Sequence, residues 1–200
     1  MSLEDYRTLF MVGGLVLILV AAFPGLSVVV PFPRGGERFS ELWILGPERM
    51  AEGYPFNVRA EEMQGPVYVG VRNHMGGSQS YLIYAKFRDR TQPLPNATAS
   101  EPSSLPPLYE FRFFLADGQT WEAPVRFTIE DLGFKGNGSF VAGISINDQV
   151  FPVNCSSSWD SENKGFHYEL FFELWLYQEG SQSFGFHDRF VGIWLNMTKS

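Results

Sequence analysis

Residues 166–177 read FHYELFFELWLY, and every even-numbered position in this stretch is apolar. The odd-numbered positions mix histidine and glutamate with aromatic residues. Side chains of a β-strand alternate between the two faces of a sheet, so this period of two predicts a strand with one core face and one half-buried outer face. The periodicity of an amphipathic helix does not occur in the body of the chain.

Further short runs with the same alternation lie on both sides of this strand, separated by turn residues such as Asp117-Gly118, a strong hairpin signal. In the run at 81–87 the apolar residues face inward, and Lys86 and Arg88 are expected to face outward. The pattern predicts an all-β antiparallel sandwich of seven to nine strands, with one closed sheet as the alternative. The runs cover residues 39–45, 67–71, 81–87, 109–115, 125–129, 140–146 and 184–195.

A long segment without periodicity, TQPLPNATASEPSSLPP at 91–107, separates two of these strands. Its five prolines predict an exposed loop within one domain rather than a linker between domains. We expect the strands on either side of this loop to pair with each other.

The N-terminal part is strongly apolar, since residues 9–33 carry no ionisable side chain. About 20 apolar residues suffice for a helix to cross a bilayer. We predict a leader at 1–7, a single transmembrane anchor at 8–33, a hinge at 34–38 and a β-sandwich domain at 39–200. The alternative is a cleaved signal peptide, but the run exceeds a typical signal core and Glu4 and Asp5 offset the charge of Arg7.

Composition limits the partners of the domain. The chain is 44% hydrophobic and 16% aromatic with a net charge of −7, and no cluster of Lys and Arg appears. Nucleic acid and anionic lipid surfaces are therefore disfavoured. The single cysteine, Cys155, excludes an intramolecular disulfide, and we interpret it as a small, half-buried apolar residue.

Four Asn-x-Ser/Thr triplets indicate on which side of the membrane the domain lies. They begin at Asn96, Asn137, Asn154 and Asn196, whereas about one is expected by chance among eight asparagines. The excess favours N-glycosylation and an extracytoplasmic domain, with the cell membrane as the location. Coincidence is the alternative, and Cys155 inside one triplet weakens that site.

Two stretches, LGPERMAEGYPFNV at 45–58 and VYVGVRNHMGGSQSYLIYAKF at 67–87, resemble the signature of an archaeal membrane-anchored family known as domain of unknown function 1616. The similarity lies in a Leu-Gly-Pro motif, a Tyr-Pro pair, a Val-Gly-Val strand followed by Asn-His, and an aromatic strand directly after. ELFFELWLY with RFVGIWLNMT is similar to longer members. The resemblance covers most of residues 39–196 and implies an extracytoplasmic Ig-like sandwich on a membrane anchor. It implies no activity and no catalytic residues, and members often carry several spans where this sequence shows one.

The sequence contains no nucleophile elbow, phosphate loop or zinc spacing, and we predict no catalytic residue, no cofactor and no metal. His74, His167 and His187 are far apart in sequence. The acidic turn at 159–165 lacks the alternating carboxylates of a calcium loop. Glu169 and Glu173 are too far apart along one strand for a glycosidase pair.

The outer face of the strand at 166–177 carries Phe171, Trp175 and Tyr177. Aromatic strips of this kind stack on sugar rings or form partner interfaces, so these residues are a candidate interaction face. The alternative is that this face packs beneath the Pro-rich loop.

The preferred function is a non-enzymatic, single-pass cell-surface module whose sandwich contacts surface glycans or an envelope protein. One alternative is a membrane-tethered hydrolase or carbohydrate-active enzyme with its site on loops around His74 or Asp160. Another is an accessory subunit of a membrane complex.

Overall fold

A computed structural model describes residues 6, 10–14, 16–17 and 37–198. The chain divides into two compact units, residues 1–37 and 38–200. The described residues up to 17 are helical. Within the described residues, no helix combines the length and the apolar character that crossing a membrane requires. Most of the predicted anchor at 8–33 lies outside the described residues.

The second unit is all-β, which confirms the predicted fold class. Its described residues, 38–198, form ten strands rather than the seven to nine expected. Their bounds are β1 Phe39–Leu45, β2 Asn57–Val58, β3 Gln64–His74, β4 Gln79–Asp89, β5 Tyr109–Leu115, β6 Thr120–Lys135, β7 Gly138–Ile146, β8 Gln149–Ser158, β9 His167–Gln178 and β10 Ser183–Met197.

The two strands that the sequence did not predict are β2 and β8. A two-residue strand is too short to show alternation, and β8 (QVFPVNCSSS) contains Pro152 and a run of polar residues. β8 is an edge strand, and Pro152 lies where its register with β7 shifts. Proline is tolerated at such a position because the missing N–H faces away from the ladder or into a bulge.

The strands form two five-stranded sheets. The first sheet has the order β1-β3-β6-β7-β8 and the second has β2-β10-β9-β4-β5. All paired strands are antiparallel except β2 and β10, which run parallel. β4 and β5 pair directly, as predicted for the strands on either side of the Pro-rich loop.

One hydrophobic core lies between the sheets. Inward-facing residues of β3 and β6 pack against inward-facing residues of β4 and β9, and most of them are fully buried. Burial of each such side chain stabilises the fold by about 1.5–3 kcal/mol. Two hydroxyl pairs link the sheets through this core: Ser40 with Tyr81, and Ser139 with Tyr168, each at 2.8 Å between oxygens. Burial raises the pKa of Tyr168 to about 12.

Asn73 organises the turn between β3 and β4. Its Nδ2 donates to the carbonyls of Gly77 and Leu115, and its Oδ1 accepts from the Met75 amide and the Tyr81 hydroxyl. The Asn-His pair of the sequence motif therefore has a structural role at Asn73, where one buried amide joins three strands.

Candidate functional site

The segment between β4 and β5, residues 91–107, lies across the outer face of the second sheet, and we call it the strap. Ser103 attaches the strap to the sheet and is buried. Its N–H donates to Oε1 of Glu173 at 2.8 Å, and its carbonyl accepts from Nζ of Lys86 at 2.7 Å. A charged pair of the sheet therefore holds both main-chain polar groups of one strap residue.

Lys86 and Glu173 form an ion pair at 2.9 Å with side chains only 4% and 0% exposed. The indole N–H of Trp175 also donates to Oε2 of Glu173, at 3.2 Å. Removing charges from water costs several kcal/mol per ion, and such a pair is stable only when further hydrogen bonds satisfy both groups. Ser103 and Trp175 provide those bonds.

Arg88 and Glu169 form a second buried ion pair, at 2.7 Å between Nε and Oε2. Nη1 of Arg88 also donates to the carbonyl of Gln92 in the strap. Gly192 lies beneath the Glu169 carboxylate, and a methyl group at this position would overlap Oε1. The absence of a side chain at residue 192 thus makes room for the ion pair.

These contacts correct two sequence predictions. Lys86 and Arg88 do leave the core side of β4, but the strap covers them and they are not exposed. Phe171, one of the three residues of the candidate interaction face, is completely buried. Trp175 is half-buried against Tyr84, and Tyr177 is 37% exposed beside Phe184. The Pro-rich loop contacts this face at Glu173, as the alternative expects, and the exposed surface of the face is formed by Trp175 and Tyr177.

A small cleft opens at one end of the second sheet, and we call it the aromatic cleft. Its volume is about 310 Å³, and it is lined by Phe56, Arg90, Asn163, His167 and Trp194. Each residue comes from a different segment: before β2, after β4, the turn before β9, the start of β9, and β10. The pairing of β10 with β2 and β9, and of β9 with β4, brings these segments together.

His167 lies at the floor of the aromatic cleft and is only 6% exposed. Its Nε2 is buried and has no hydrogen-bond partner among the described residues. Burial lowers the pKa of His167, opposed by a hydrogen bond to the backbone of Asn163, while the charge of Arg90 lowers it further. With the other ring nitrogen donating to that backbone carbonyl, Nε2 of the neutral ring is an acceptor without a donor.

Aromatic rings form the walls of the cleft. The Phe56 ring stacks on the His167 ring with centroids 6.0 Å apart and is 47% exposed. Trp194 is 40% exposed, and the guanidinium carbon of Arg88 lies 5.3 Å from the centroid of its ring. Arg88, which is paired with Glu169 beneath the strap, therefore also helps to fix the orientation of the Trp194 indole through a cation–π contact.

Asp160 binds two lining residues of the cleft, Arg90 and Asn163. Its carboxylate contacts Arg90 and accepts from the backbone amides of Glu162 at 2.9 Å and Asn163 at 3.1 Å. The Asn163 side chain donates to it as well, at 2.8 Å. The acidic turn at 159–165 is therefore held by its own aspartate, whose oxygens bind the turn and one arginine.

The other two histidines have separate partners. Nε2 of His74 lies 3.0 Å from Oε1 of Glu41, and Nε2 of His187 lies 3.0 Å from the Ser40 hydroxyl. Ser40 is completely buried and also bonds Tyr81, so its hydroxyl is a structural contact. In the described part of the chain, no three His, Cys, Asp or Glu side chains come together as a metal site.

The glycosylation candidates differ in exposure. Asn96, Asn137 and Asn154 are exposed. Asn196 is 9% exposed, and its carboxamide accepts from the Phe166 amide and donates to Oδ1 of Asn57, both at 3.0 Å. A glycan on Asn196 would attach to the same nitrogen that donates to Asn57, at a position with little exposure, so this residue is a poorer glycosylation candidate than the other three.

Cys155 is buried, and burial raises its pKa to about 11. A thiol in this environment carries almost no thiolate at neutral pH, so it is a poor nucleophile.

Two five-stranded sheets around one core, with a small cleft at the end of one sheet, define an all-β domain of the two-sheet class. The chain belongs to the family described as Domain of unknown function (DUF1616), which it matches over residues 33–137, just over half of its length. Phe56 and Arg90 of the aromatic cleft lie inside the matched region, and Asn163, His167 and Trp194 lie beyond it. A comparison with curated proteins finds no match.

Proposed function

We propose that this protein is a non-enzymatic binding module, anchored in the cell membrane by residues 8–33, with its β-domain outside the cytoplasm. The domain contacts surface glycans or an envelope protein, and the site of contact is the aromatic cleft. The apolar run at 9–33 supports the anchor. Three exposed Asn-x-Ser/Thr asparagines, Asn96, Asn137 and Asn154, support the orientation.

The observation that carries the proposal is the unpartnered Nε2 of His167 at the floor of the cleft. Buried polar groups are almost always hydrogen-bonded in native proteins, so an exception needs an explanation. A binding site supplies it, because the missing partner arrives with the ligand.

A binding role is favoured over catalysis by the state of two nucleophilic side chains. Ser40 lies beside His187 but is completely buried, and Cys155 is buried with a raised pKa. Neither side chain has the exposure or the activation that covalent catalysis requires.

The finer architecture that we propose is an Ig-like sandwich. Support comes from the two mainly antiparallel sheets and from chain connections that cross between them, from β3 to β4, from β5 to β6 and from β8 to β9.

Cysteine labelling in intact cells tests the orientation. Ser181 is exposed in the turn between β9 and β10, and Ser2 lies in the predicted leader. Because the native Cys155 is buried, it gives little background with a membrane-impermeant maleimide. We expect Ser181→Cys to be labelled in intact cells and Ser2→Cys only after permeabilisation. Labelling of Ser2→Cys alone in intact cells would contradict the proposal.

A further inference from the structure

We propose that the aromatic cleft binds the ring of a neutral saccharide, with one sugar hydroxyl donating a hydrogen bond to Nε2 of His167. This ligand class rests on the proposed binding function and narrows it to one chemistry.

The buried acceptor requires a donor from the ligand. His167 is the first residue of β9, so the strand fixes its backbone, and its other ring nitrogen bonds the backbone of Asn163. Burial favours the neutral ring, which leaves Nε2 able to accept but not to donate. A hydroxyl fits this requirement, since it donates one hydrogen bond and carries no charge into the cleft.

The path to this nitrogen passes the Phe56 ring, which stacks on the imidazole. Phe56 is 47% exposed and lies just before the two-residue strand β2. A ring with this much exposure turns aside at little cost, because few contacts hold it. We therefore assign Phe56 as the side chain that moves when the ligand enters.

The aromatic walls favour a ring with C–H groups on its faces. Trp194 and Phe56 both expose large parts of their surface beside the cleft. The faces of their π-systems are negative and attract the slightly positive C–H groups of a sugar ring. Arg88 stacks on Trp194 and restricts the motion of the indole in the free protein. The Trp194 side chain therefore loses less conformational entropy when a ligand binds.

The charges around the cleft favour a neutral ligand. Arg90 is the cation of the lining, and Asp160 already pairs with it. An anionic ligand would have to compete with this carboxylate. The volume of about 310 Å³ is at the small end of ligand pockets, which start near 300 Å³, and it suits a single ring rather than an extended chain.

A titration followed by NMR tests the proposal. The full-length protein, labelled with ¹⁵N-histidine, is held in micelles of a detergent without a sugar headgroup and titrated with the methyl glycosides of glucose, galactose and mannose. We expect at least one glycoside to shift the Nε2 resonance of His167 saturably. His167→Phe should weaken binding of that glycoside, followed by tryptophan fluorescence, by about tenfold or more, because the ligand hydroxyl loses its acceptor.

Phe114→Ala is the matched control, since Phe114 is an aromatic residue 64% exposed on β5 and outside the cleft. The Phe114→Ala variant should bind the glycoside with the affinity of the native protein, whereas the Trp194→Ala variant should bind it more weakly. Three results would overturn the proposal. The first is that no glycoside shifts the Nε2 resonance saturably, and the second is that Phe114→Ala weakens glycoside binding as much as His167→Phe does. The third is that glycerol or glucuronate shifts the resonance saturably while none of the glycosides does. Since the titration does not depend on membrane orientation, its failure is distinguishable from a failure of the labelling experiment.

Discussion

Gly70 shows at the scale of one residue why the Val-Gly-Val motif contains a glycine. It pairs with Trp43 between β3 and β1, and the Trp43 indole lies where a side chain of residue 70 would stand. The flanking valines, Val69 and Val71, face the core and are completely buried. The motif therefore combines two core residues with a glycine whose missing side chain leaves space for the Trp43 ring.

We expect Gly70→Ala to destabilise the fold by about 1–3 kcal/mol, the usual cost of overpacking. Gly133→Ala is the matched control, because Gly133 lies in β6 of the same sheet and a Cβ added there would meet no other atom within 4 Å. Urea unfolding of both variants measures the difference. Equal stability of the two variants would show that the contact with Trp43 is unimportant.

Two histidines make stability depend on pH. Burial lowers the pKa of both His167 and His187 below the ordinary 6.5. The unfolded chain therefore binds more protons than the folded chain just below pH 6.5, and the free energy of unfolding should fall as the pH is lowered through this value.

Urea unfolding at about pH 7.5 and about pH 5.5 measures this dependence. We expect the native protein to be less stable at the lower pH, and His167→Phe to lose part of the difference. A protein that is equally stable or more stable at the lower pH would contradict the assignment.

At the scale of elements, β9 and the strap show where sequence reasoning succeeds and where it stops. The alternation in 166–177 correctly predicted a strand with a core face, because period two is a property of the strand itself. It did not show what covers the other face. Lys86 and Arg88 look like surface residues in the pattern but are buried beneath the strap, which is a tertiary contact without periodicity.

We expect Glu173→Gln to destabilise the protein by about 3–5 kcal/mol, because Lys86 then remains buried without a counter-charge. It should also release the strap, which Ser103 attaches to Glu173. An elastase, which cuts after small residues, should then cut faster between Ala99 and Ser100, two exposed strap residues.

Glu110→Gln serves as the control for that substitution. Glu110 pairs with Arg112, but both side chains are about half exposed. Its removal should change stability far less and leave elastase cleavage after Ala99 unchanged. If both variants behave alike in unfolding and in proteolysis, the buried ion pair does not hold the strap.

At the scale of the whole molecule, the aromatic cleft could not have been predicted from the sequence. Its residues come from five segments between positions 56 and 194. The pairings of β2 with β10, of β10 with β9 and of β9 with β4 bring them together. His167 was visible as a histidine on the mixed face of a strand, but its lack of a partner is a property of the folded chain. The two sheets themselves followed from the pattern, apart from the short β2 and the polar, proline-containing β8.

The most direct test of a binding role for the cleft is the stability of His167→Phe at neutral pH, where the native ring is uncharged. His167→Phe removes the unpartnered Nε2 and also the ring nitrogen that bonds the Asn163 backbone. The two effects offset each other, so the free energy of unfolding should change by about 1 kcal/mol or less. A glycoside that stabilises the native protein should no longer stabilise the variant. A loss of several kcal/mol would instead show that His167 serves the fold, and would contradict the account.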